Sequence, residues 1–213
     1  MRIPEHIGII PDGNRRWAQA QGLTKEKGYN PGLDPGLETF KLCKENGVKE
    51  ITYYGFTTDN AKRPAIQKEA FTDACIKAVE LISREDAEIL VLGNTESKVF
   101  PKELLEYTER KITGAGGIKV NFLINYGWSW DLNNIKDVGK DNKNVNNYLR
   151  SYDVSRIDLI IRWGGRRRLS GFLPVQSVYA DFFIVNDYWP DFKPEHFSNA
   201  LEWYKEQDIT LGG

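Results

Sequence analysis

The sequence is poor in the residues that build disulfide frameworks and zinc sites. It has only two cysteines and two histidines among 213 residues. Cys43 and Cys75 both fall on the apolar faces of predicted helices, so we expect buried thiols in a reducing compartment. His6 and His196 lie far apart in the chain, which argues against a zinc site built on histidine.

The chain also lacks a large net charge and a long apolar run. Its formal net charge is -1, so the chain as a whole is not predicted to bind nucleic acid. No apolar run reaches the roughly 18 residues of a membrane span, and the N-terminus MRIPEHIGIIPDG has no signal-peptide cleavage pattern. These absences predict a cytoplasmic protein without a membrane span. They leave room for an apolar substrate.

Short apolar runs alternate with amphipathic segments along the whole chain. The runs predict six strands, at 5–10, 50–56, 88–92, 118–125, 157–161 and 180–185. The amphipathic segments predict helices at 34–46, 67–85, 101–113, 130–137, 143–150 and 195–207. Asp34-Pro35 is a helix-start pattern and Asn46-Gly47 a helix stop, whereas 137–147 is predicted as a loop. The alternation predicts a single α/β domain over 1–213 with a mostly parallel sheet.

Three polar segments directly follow predicted strands. They are PDGNRRW at 11–17, TTDNAKRP at 57–64 and RWGGRRRLSG at 162–171. In open α/β sheets, ligands bind beyond the carboxyl ends of the strands. These three segments are therefore the predicted site.

The first segment combines a carboxylate with a glycine turn at the start of a helix. Backbone N–H groups at a helix start form an anion cradle. Asp12 could hold Mg²⁺ against the same phosphates, because Mg²⁺ takes one or two carboxylates and shares its shell with substrate oxygens. The alternative is a capped turn with solvated arginines, since Asp-Gly-Asn is also ordinary turn chemistry.

The other two segments supply hydroxyl and guanidinium donors. In 57–64, a polar loop that caps a helix is at least as good an interpretation as a phosphate site. In 162–171, four arginines surround Gly164 and Gly165, and bidentate guanidinium groups suit a diphosphate. A nucleic-acid patch is the rival interpretation there. The apolar residues that flank the cluster favour a small polyphosphate.

Together the three segments resemble the cis-prenyltransferase family, the Z-type isoprenyl diphosphate synthases. The matching blocks are HIGIIPDGNRRWAQAQG, YYGFTTDNAKRP and LIIRWGGRRRLSGFLPVQSVYADFFIVNDYWPDF. They occur in the family's order, and the similarity runs from His6 to about Tyr204. The resemblance implies a six-stranded, mostly parallel sheet flanked by helices, two of which enclose a hydrophobic tunnel. The stripe Phe71, Cys75, Ala78 and Ile82, with Phe122 and Ile124 on the sheet, is the candidate wall, and plain core packing is the alternative.

The resemblance also implies a reaction and its partners. An allylic prenyl diphosphate would condense with isopentenyl diphosphate in a Mg²⁺-dependent cis head-to-tail elongation that releases pyrophosphate. The family works as dimers, so a homodimer is expected, with peripheral membrane contact for release of a long product. No nucleic-acid partner is expected.

The resemblance assigns roles residue by residue. Asp12 matches the essential aspartate that serves catalysis and metal binding, and Asn60 and Arg63 match catalytic positions of the second block. Substrate binding is implied for Gly13, Asn14, Arg15, Arg16, Trp17, Lys25, Tyr29, Arg162, Arg168 and Ser170. Asp181 stands where the family has a metal-binding glutamate.

The chain departs from the family pattern at several positions near the substrates. Tyr29 replaces a histidine, Ala61 replaces a bulky group, and Trp128-Ser129 replaces glycine-arginine. Arg166 replaces glutamate and Trp163 replaces threonine, which would change the second substrate's pocket. The family's C-terminal arginine-x-glycine, which reaches a partner's site, appears as 210–212 (TLG).

These departures keep two alternatives open beside head-to-tail elongation. One is head-to-middle, lavandulyl-type condensation with dimethylallyl diphosphate as acceptor. The other, ranked lower because Asp12 and the arginines are present, is a non-catalytic partner subunit of a prenyltransferase complex.

Overall fold

A computed structural model describes residues 2–133, 135 and 145–208 of the chain. Its centre is a seven-stranded sheet in the order β4-β3-β5-β2-β1-β6-β7. The strands are β1 His6–Ile10, β2 Glu50–Tyr54, β3 Ala87–Leu92, β4 Lys111–Thr113, β5 Ile118–Leu123, β6 Leu159–Arg162 and β7 Asp181–Ile184. All neighbours pair in parallel except β3 and β4. The predicted α/β class is confirmed.

The expected number of six strands is wrong by one. The predicted helix 101–113 is a 3-10 helix over Lys102–Tyr107, and the chain then adds β4 antiparallel to the edge of β3. Arg110 ties this turn to the edge, because its guanidinium donates to the Glu88 carbonyl at 2.9 Å. A strand of three residues is too short to produce a period-two pattern in the sequence.

Five α-helices within the described residues pack around the sheet. They are α1 Asn14–Ala20, α2 Leu33–Glu45, α3 Ala65–Ile82, α4 Trp128–Leu132 and α5 Pro194–Lys205. Helix α2 starts before the predicted Asp34-Pro35 start, so Pro35 lies in its first turn, where a missing N–H costs nothing. Asn46 and Gly47 end it as predicted, with Gly47 at φ 76°. The predicted helices 130–137 and 143–150 and the loop 137–147 lie partly outside the described residues, and 145–148 is a 3-10 helix.

The sheet is covered on both faces, as its apolar strands require. Helices α2, α3 and α5 pack on one face, with Phe40, Val79 and Phe197 in that core. Irregular segments after β5 and β6 cover the other face, with Tyr126 and Phe172 in the second core. No helix within the described ranges is both long and apolar enough to cross a membrane.

Candidate active site

Asp12 and Arg162 form the centre of the site because β1 and β6 are adjacent. The register pairs Ile10 with Arg162, so the turn after β1 lies beside the end of β6. The Arg162 guanidinium donates to Asp12 Oδ2 at 2.7 Å. Burial on its own would raise the pKa of Asp12, but the hydrogen bond and charge of Arg162, with the charge of Arg16, lower it below its ordinary value. Asp12 is therefore a carboxylate at neutral pH.

Arg162 is held in place before any ligand binds. Its side chain is only 4% exposed and also donates to Ser170 Oγ, at 3.1 Å, and to the Arg168 carbonyl. The buried Nε of Arg162 has no acceptor in the part of the chain that the structure describes. A buried N–H without a partner is costly, so this group fits an anionic ligand oxygen.

Arg16 connects Asp12 to the loop after β6. One of its nitrogens lies 3.4 Å from Asp12 Oδ1, and another donates to the Gly164 carbonyl at 2.8 Å. Its guanidinium also lies 5.1 Å from the Tyr188 ring centroid. The carboxylate is thus held between two guanidinium groups, one on α1 and one at the end of β6.

Gly13 makes the turn between Asp12 and α1 possible. It has φ 108°, and a Cβ there would lie 2.7 Å from the Tyr188 ring and 3.1 Å from the Tyr188 Cα. Only glycine adopts this backbone at no steric cost. The turn brings the backbone of α1 against the cleft that Asp12 faces.

We expect Gly13→Ala to lower the free energy of unfolding by about 2 kcal/mol, because strained φ and a close contact coincide. Gly22→Ala is the matched control: Gly22 has φ 71° but nothing within 4 Å of its Cβ position. Urea unfolding of both variants separates backbone strain from the Tyr188 contact. Equal losses of unfolding free energy in the two variants would mean that the Tyr188 contact contributes nothing to stability.

The side chains around Asp12 form a strongly basic cleft. Among the described residues, seven cationic and two acidic side chains line it. The cations are Arg15, Arg16, Lys25, Arg63, Arg162, Arg166 and Arg168, and the acids are Asp12 and Asp59. Asp59 pairs with Lys62 at 2.8 Å and is largely exposed. An excess of five positive charges in one cleft suits a polyphosphate ligand.

An apolar cavity lies between the sheet and helices α2 and α3. Apolar side chains and backbone make up most of its lining. The predicted wall is confirmed, since Phe71, Cys75, Ala78, Ile82, Phe122 and Ile124 all line it. Burial raises the pKa of the Cys75 thiol to about 12, so this side chain remains neutral in the wall.

The basic cleft and the apolar cavity share a rim. The residues that line both are Pro11, Asn14, Tyr29, Gly55 and Phe71. Tyr29 stacks on Phe71 with ring centroids 4.6 Å apart, and its hydroxyl accepts from Arg63 at 3.0 Å. Burial raises the pKa of Tyr29, so the hydroxyl keeps its proton at neutral pH. A ligand on this rim would place an anionic head in one space and an apolar tail in the other.

Asn60 of the second block and Arg15 and Asn14 of the first block line the same cleft and take part in local hydrogen bonds. Asn60 exchanges hydrogen bonds with Thr57, which forms a capping box at the start of the 3-10 helix Thr58–Lys62. Arg15 donates to Gln67 on α3 at 3.3 Å. Asn14 donates to the Pro11 carbonyl, while its buried Oδ1 has no donor among the described residues.

Three sequence-based assignments need correction. Trp17 does not line the cleft, because its indole donates to Asp191 at 2.8 Å. Asp181 begins β7 and pairs with Arg2 at 3.2 Å, at the amino ends of the strands, whereas Asp12 follows the carboxyl end of β1. The two carboxylates therefore cannot share an ion within one chain.

Trp163 is the third correction. It was expected to add an indole to the second substrate's pocket, but it is fully buried and stacks edge-on against Trp189 on the helix side of the sheet. Successive strand residues point to opposite faces, so Trp163 faces away when Arg162 faces the cleft. The substitution at Arg166 does lie in the cleft. The C-terminal residues 210–212 lie outside the described residues.

The site also contains residues that sequence reasoning missed. Tyr54 lines the cleft and donates to the Ser170 carbonyl at 2.7 Å, which supports the loop after β6. Its place at the end of β2 is the signal that could have identified it, since strand ends were the predicted site. Tyr188 packs against Gly13 and Arg16, and no local motif indicates this contact.

The described residues do not include a metal site made by protein alone. No group of three or more His, Cys, Asp or Glu side chains in those segments could hold an ion. Asp12 offers a single ionised carboxylate in a cleft that suits phosphates. That donor set fits a divalent ion that completes its shell with ligand oxygens, as Mg²⁺ does.

The fold and the joined cavities define a class of α/β protein built for a ligand with an anionic head and an apolar tail. The family model described as "Putative undecaprenyl diphosphate synthase" matches residues 10–212. An isoprenyl transferase of Thermotoga maritima is 34% identical over 100% of this chain and 98% of its own. The chain belongs to the cis-prenyltransferase family of enzymes.

Two further similar proteins agree with this assignment. The ditrans,polycis-undecaprenyl-diphosphate synthase ((2E,6E)-farnesyl-diphosphate specific) of Escherichia coli K12 is 28% identical over 98% of this chain and 89% of its own. The crystal structure of lavandulyl diphosphate synthase from Lavandula x intermedia, in complex with dimethylallyl diphosphate, matches with a TM-score of 0.85 at 20% identity. The match covers 99% of this chain and 98% of the lavandulyl diphosphate synthase chain. At 20% identity, it shows that the two chains share a fold.

Proposed function

We propose that this chain transfers a prenyl group from an allylic diphosphate to isopentenyl diphosphate with cis geometry and releases pyrophosphate. The observation that carries the proposal is the rim shared by the basic cleft and the apolar cavity. It suits a substrate whose diphosphate and hydrocarbon ends need opposite surroundings. Membership of the cis-prenyltransferase family supports the same reaction.

In this reaction the C–O bond of the allylic diphosphate breaks, and its electron pair leaves with pyrophosphate. The double bond of isopentenyl diphosphate attacks the allylic carbon, and a proton is lost as the new double bond forms. Negative charge grows on the leaving diphosphate, so fixed guanidinium groups stabilise the transition state. Arg15, Arg16 and Arg63 lie on or next to α1 and α3. Arg162 ends β6, and Arg168 lies in the loop that follows it.

We include Mg²⁺ in the proposal, held by Asp12 together with substrate phosphate oxygens. When bound, the ion would neutralise phosphate charge and orient the diphosphate. Asp12 is suited to this because Arg162 and Arg16 keep it ionised and oriented. Asp181 is not part of the proposed metal site.

The test is product analysis with purified protein and Mg²⁺. Dimethylallyl, geranyl and farnesyl diphosphates are supplied one at a time as primers, each with isopentenyl diphosphate or with dimethylallyl diphosphate as acceptor. Mass spectrometry after phosphatase treatment should show products longer by five carbons only with isopentenyl diphosphate. Product formed only with dimethylallyl diphosphate as acceptor would overturn the head-to-tail proposal.

The position of Arg166 favours a second candidate function, which is head-to-middle condensation with dimethylallyl diphosphate as acceptor. Its side chain lines the cleft and adds positive charge at a position where the family resemblance implies a glutamate. If this charge selects the acceptor, Arg166→Glu should shift the ratio of kcat/KM values for the two acceptors about tenfold toward isopentenyl diphosphate. Arg167→Glu is the matched control, because Arg167 is exposed and does not line the cleft. An unchanged ratio would remove Arg166 from acceptor choice.

The proposal extends to a homodimer and to peripheral membrane contact during product release. Light scattering during gel filtration would measure the mass of the assembly. Flotation with anionic and neutral vesicles would measure membrane contact.

A further inference from the structure

A cluster of three hydrogen-bonded side chains lies behind the site, on the helix side of the sheet. It consists of Trp163 at the end of β6, Asp187 after β7 and His196 on α5. Trp163 is fully buried between Trp189 and Phe192. None of the three side chains lines the basic cleft or the apolar cavity.

The hydrogen bonds of His196 allow only one neutral form of its ring. Nδ1 faces two donors, the Trp163 indole N–H at 3.3 Å and the Lys193 backbone N–H at 3.2 Å. Both groups can only donate, so Nδ1 must accept and the ring proton must be on Nε2. Nε2 then donates to Asp187 Oδ2, 2.9 Å away. His196 thus completes the start of α5 and at the same time holds Asp187.

Asp187 belongs to a segment, 185–189, that holds both loops of the site through backbone hydrogen bonds. Gly164 donates to the Asp187 carbonyl at 2.8 Å, and Gly165 donates to the Val185 carbonyl at 3.0 Å. Trp189 donates to the Asp12 carbonyl at 3.0 Å. The turn that carries Asp12 and the loop after β6 therefore rest on the same short segment.

The contacts continue into the basic cleft. The Gly164 carbonyl accepts from Arg16, which in turn lies against Asp12. A displacement of segment 185–189 would therefore move Gly164, Arg16 and Asp12 together. Such groups act in catalysis only when they are held near the productive geometry.

We propose that His196 is a positioning residue that sets the diphosphate cleft through Asp187. Trp163 and the Lys193 backbone fix the ring, and the ring fixes Asp187 and segment 185–189. The identity of the ligand rests on the proposed function, whereas the positioning rests on these contacts alone.

Two substitutions separate the two hydrogen-bonding roles of His196, because each keeps one role and removes the other. In His196→Asn, the amide oxygen can replace Nδ1 as the acceptor for Trp163 and Lys193, but the link to Asp187 is lost. In His196→Gln, the amide nitrogen can replace Nε2 as the donor to Asp187, but the acceptor is lost. Asp187→Ala removes the same link from the other side and keeps the backbone carbonyl that Gly164 uses. Glu195→Gln, an exposed change on the same helix, is the control.

Two measurements on the full chain test the proposal. The first is hydrogen exchange of the Gly164 and Trp189 amides by NMR, and the second is calorimetric binding of inorganic pyrophosphate with Mg²⁺. His196→Asn and Asp187→Ala should raise both exchange rates and weaken pyrophosphate binding by about tenfold, whereas His196→Gln and the control should remain near wild type. The His196→Asn variant should be more thermally stable than the His196→Gln variant, because the Asn oxygen keeps the hydrogen bonds from Trp163 and from Lys193 at the start of α5.

Other orders of the variants in amide exchange or in pyrophosphate binding would overturn the proposal. If the Gln variant exchanges as fast as the Asn variant, or if binding follows thermal stability, His196 has only a structural role. Unchanged exchange in Asp187→Ala also overturns it. If wild-type protein does not bind pyrophosphate, the proposed function fails, and the amide exchange rates still decide the positioning.

Discussion

Asp12→Ala is expected to lower kcat/KM for prenyl transfer by about a thousandfold, comparable to the removal of one preorganised electrostatic group from an active site. The carboxylate lies between Arg162 and Arg16 and is the proposed contact for the metal ion. Its loss would remove the ion and leave the buried Arg162 without its anionic partner. Steady-state kinetics with the primer identified by product analysis would measure the effect.

Asp12→Asn is the matched control for shape. The amide keeps the volume of the side chain and one oxygen toward Arg162, but it removes the charge. We expect kcat/KM to fall nearly as far as in the alanine variant, while the thermal unfolding temperature falls less. A folded Asp12→Asn protein with wild-type activity on its own would contradict the catalytic role of Asp12. Unchanged activity of a complex with a second, catalytic subunit would favour a non-catalytic partner subunit.

Ala78→Trp is expected to exclude long primers while short ones still react. Ala78 lies on α3 and lines the apolar cavity, so an indole there would occupy space that a hydrocarbon tail would fill. Each buried methylene contributes about 0.8 kcal/mol, so displacing three or four of them would weaken binding by about a hundredfold. The KM for farnesyl diphosphate should rise by that factor, and the KM for dimethylallyl diphosphate should change little.

Glu80→Trp is the control for this prediction. Glu80 is exposed on the same helix and does not line the cavity, so this variant adds the same side chain outside it. Product lengths should remain those of wild type. Farnesyl diphosphate that reacts equally well with Ala78→Trp would mean that the tail lies elsewhere.

The main features of the site could be predicted because they follow from rules about strands. The polar segments after β1 and β6 were expected at one edge of a parallel sheet, and the pairing of Ile10 with Arg162 puts them there. The cavity wall could be predicted because Phe71, Cys75, Ala78 and Ile82 recur at helical spacing. Local pattern and strand direction were sufficient for these features.

The errors have equally specific causes. Asp181 begins β7, so its position at the amino end of the sheet, away from Asp12 of the same chain, follows from its place in 180–185. Trp163 follows Arg162 directly, and the two-residue period of a strand sends it to the other face. The contact between His196 and Asp187 joins α5 to the loop after β7, and no sequence period encodes a contact of that kind.

The interior position of β1 in the sheet has a consequence for folding. This strand pairs with β2 on one side and with β6 on the other, and the two residues of the Asp12–Arg162 pair are 150 positions apart. The edge of β1 that faces β6 therefore stays unpaired during synthesis until most of the chain has emerged from the ribosome. Parallel pairing over such sequence separations is slow because loop-closure entropy must be overcome first. In pulse-labelled refolding, the β1–β2 amides should become protected before those of β6, so that the basic cleft forms in the last phase.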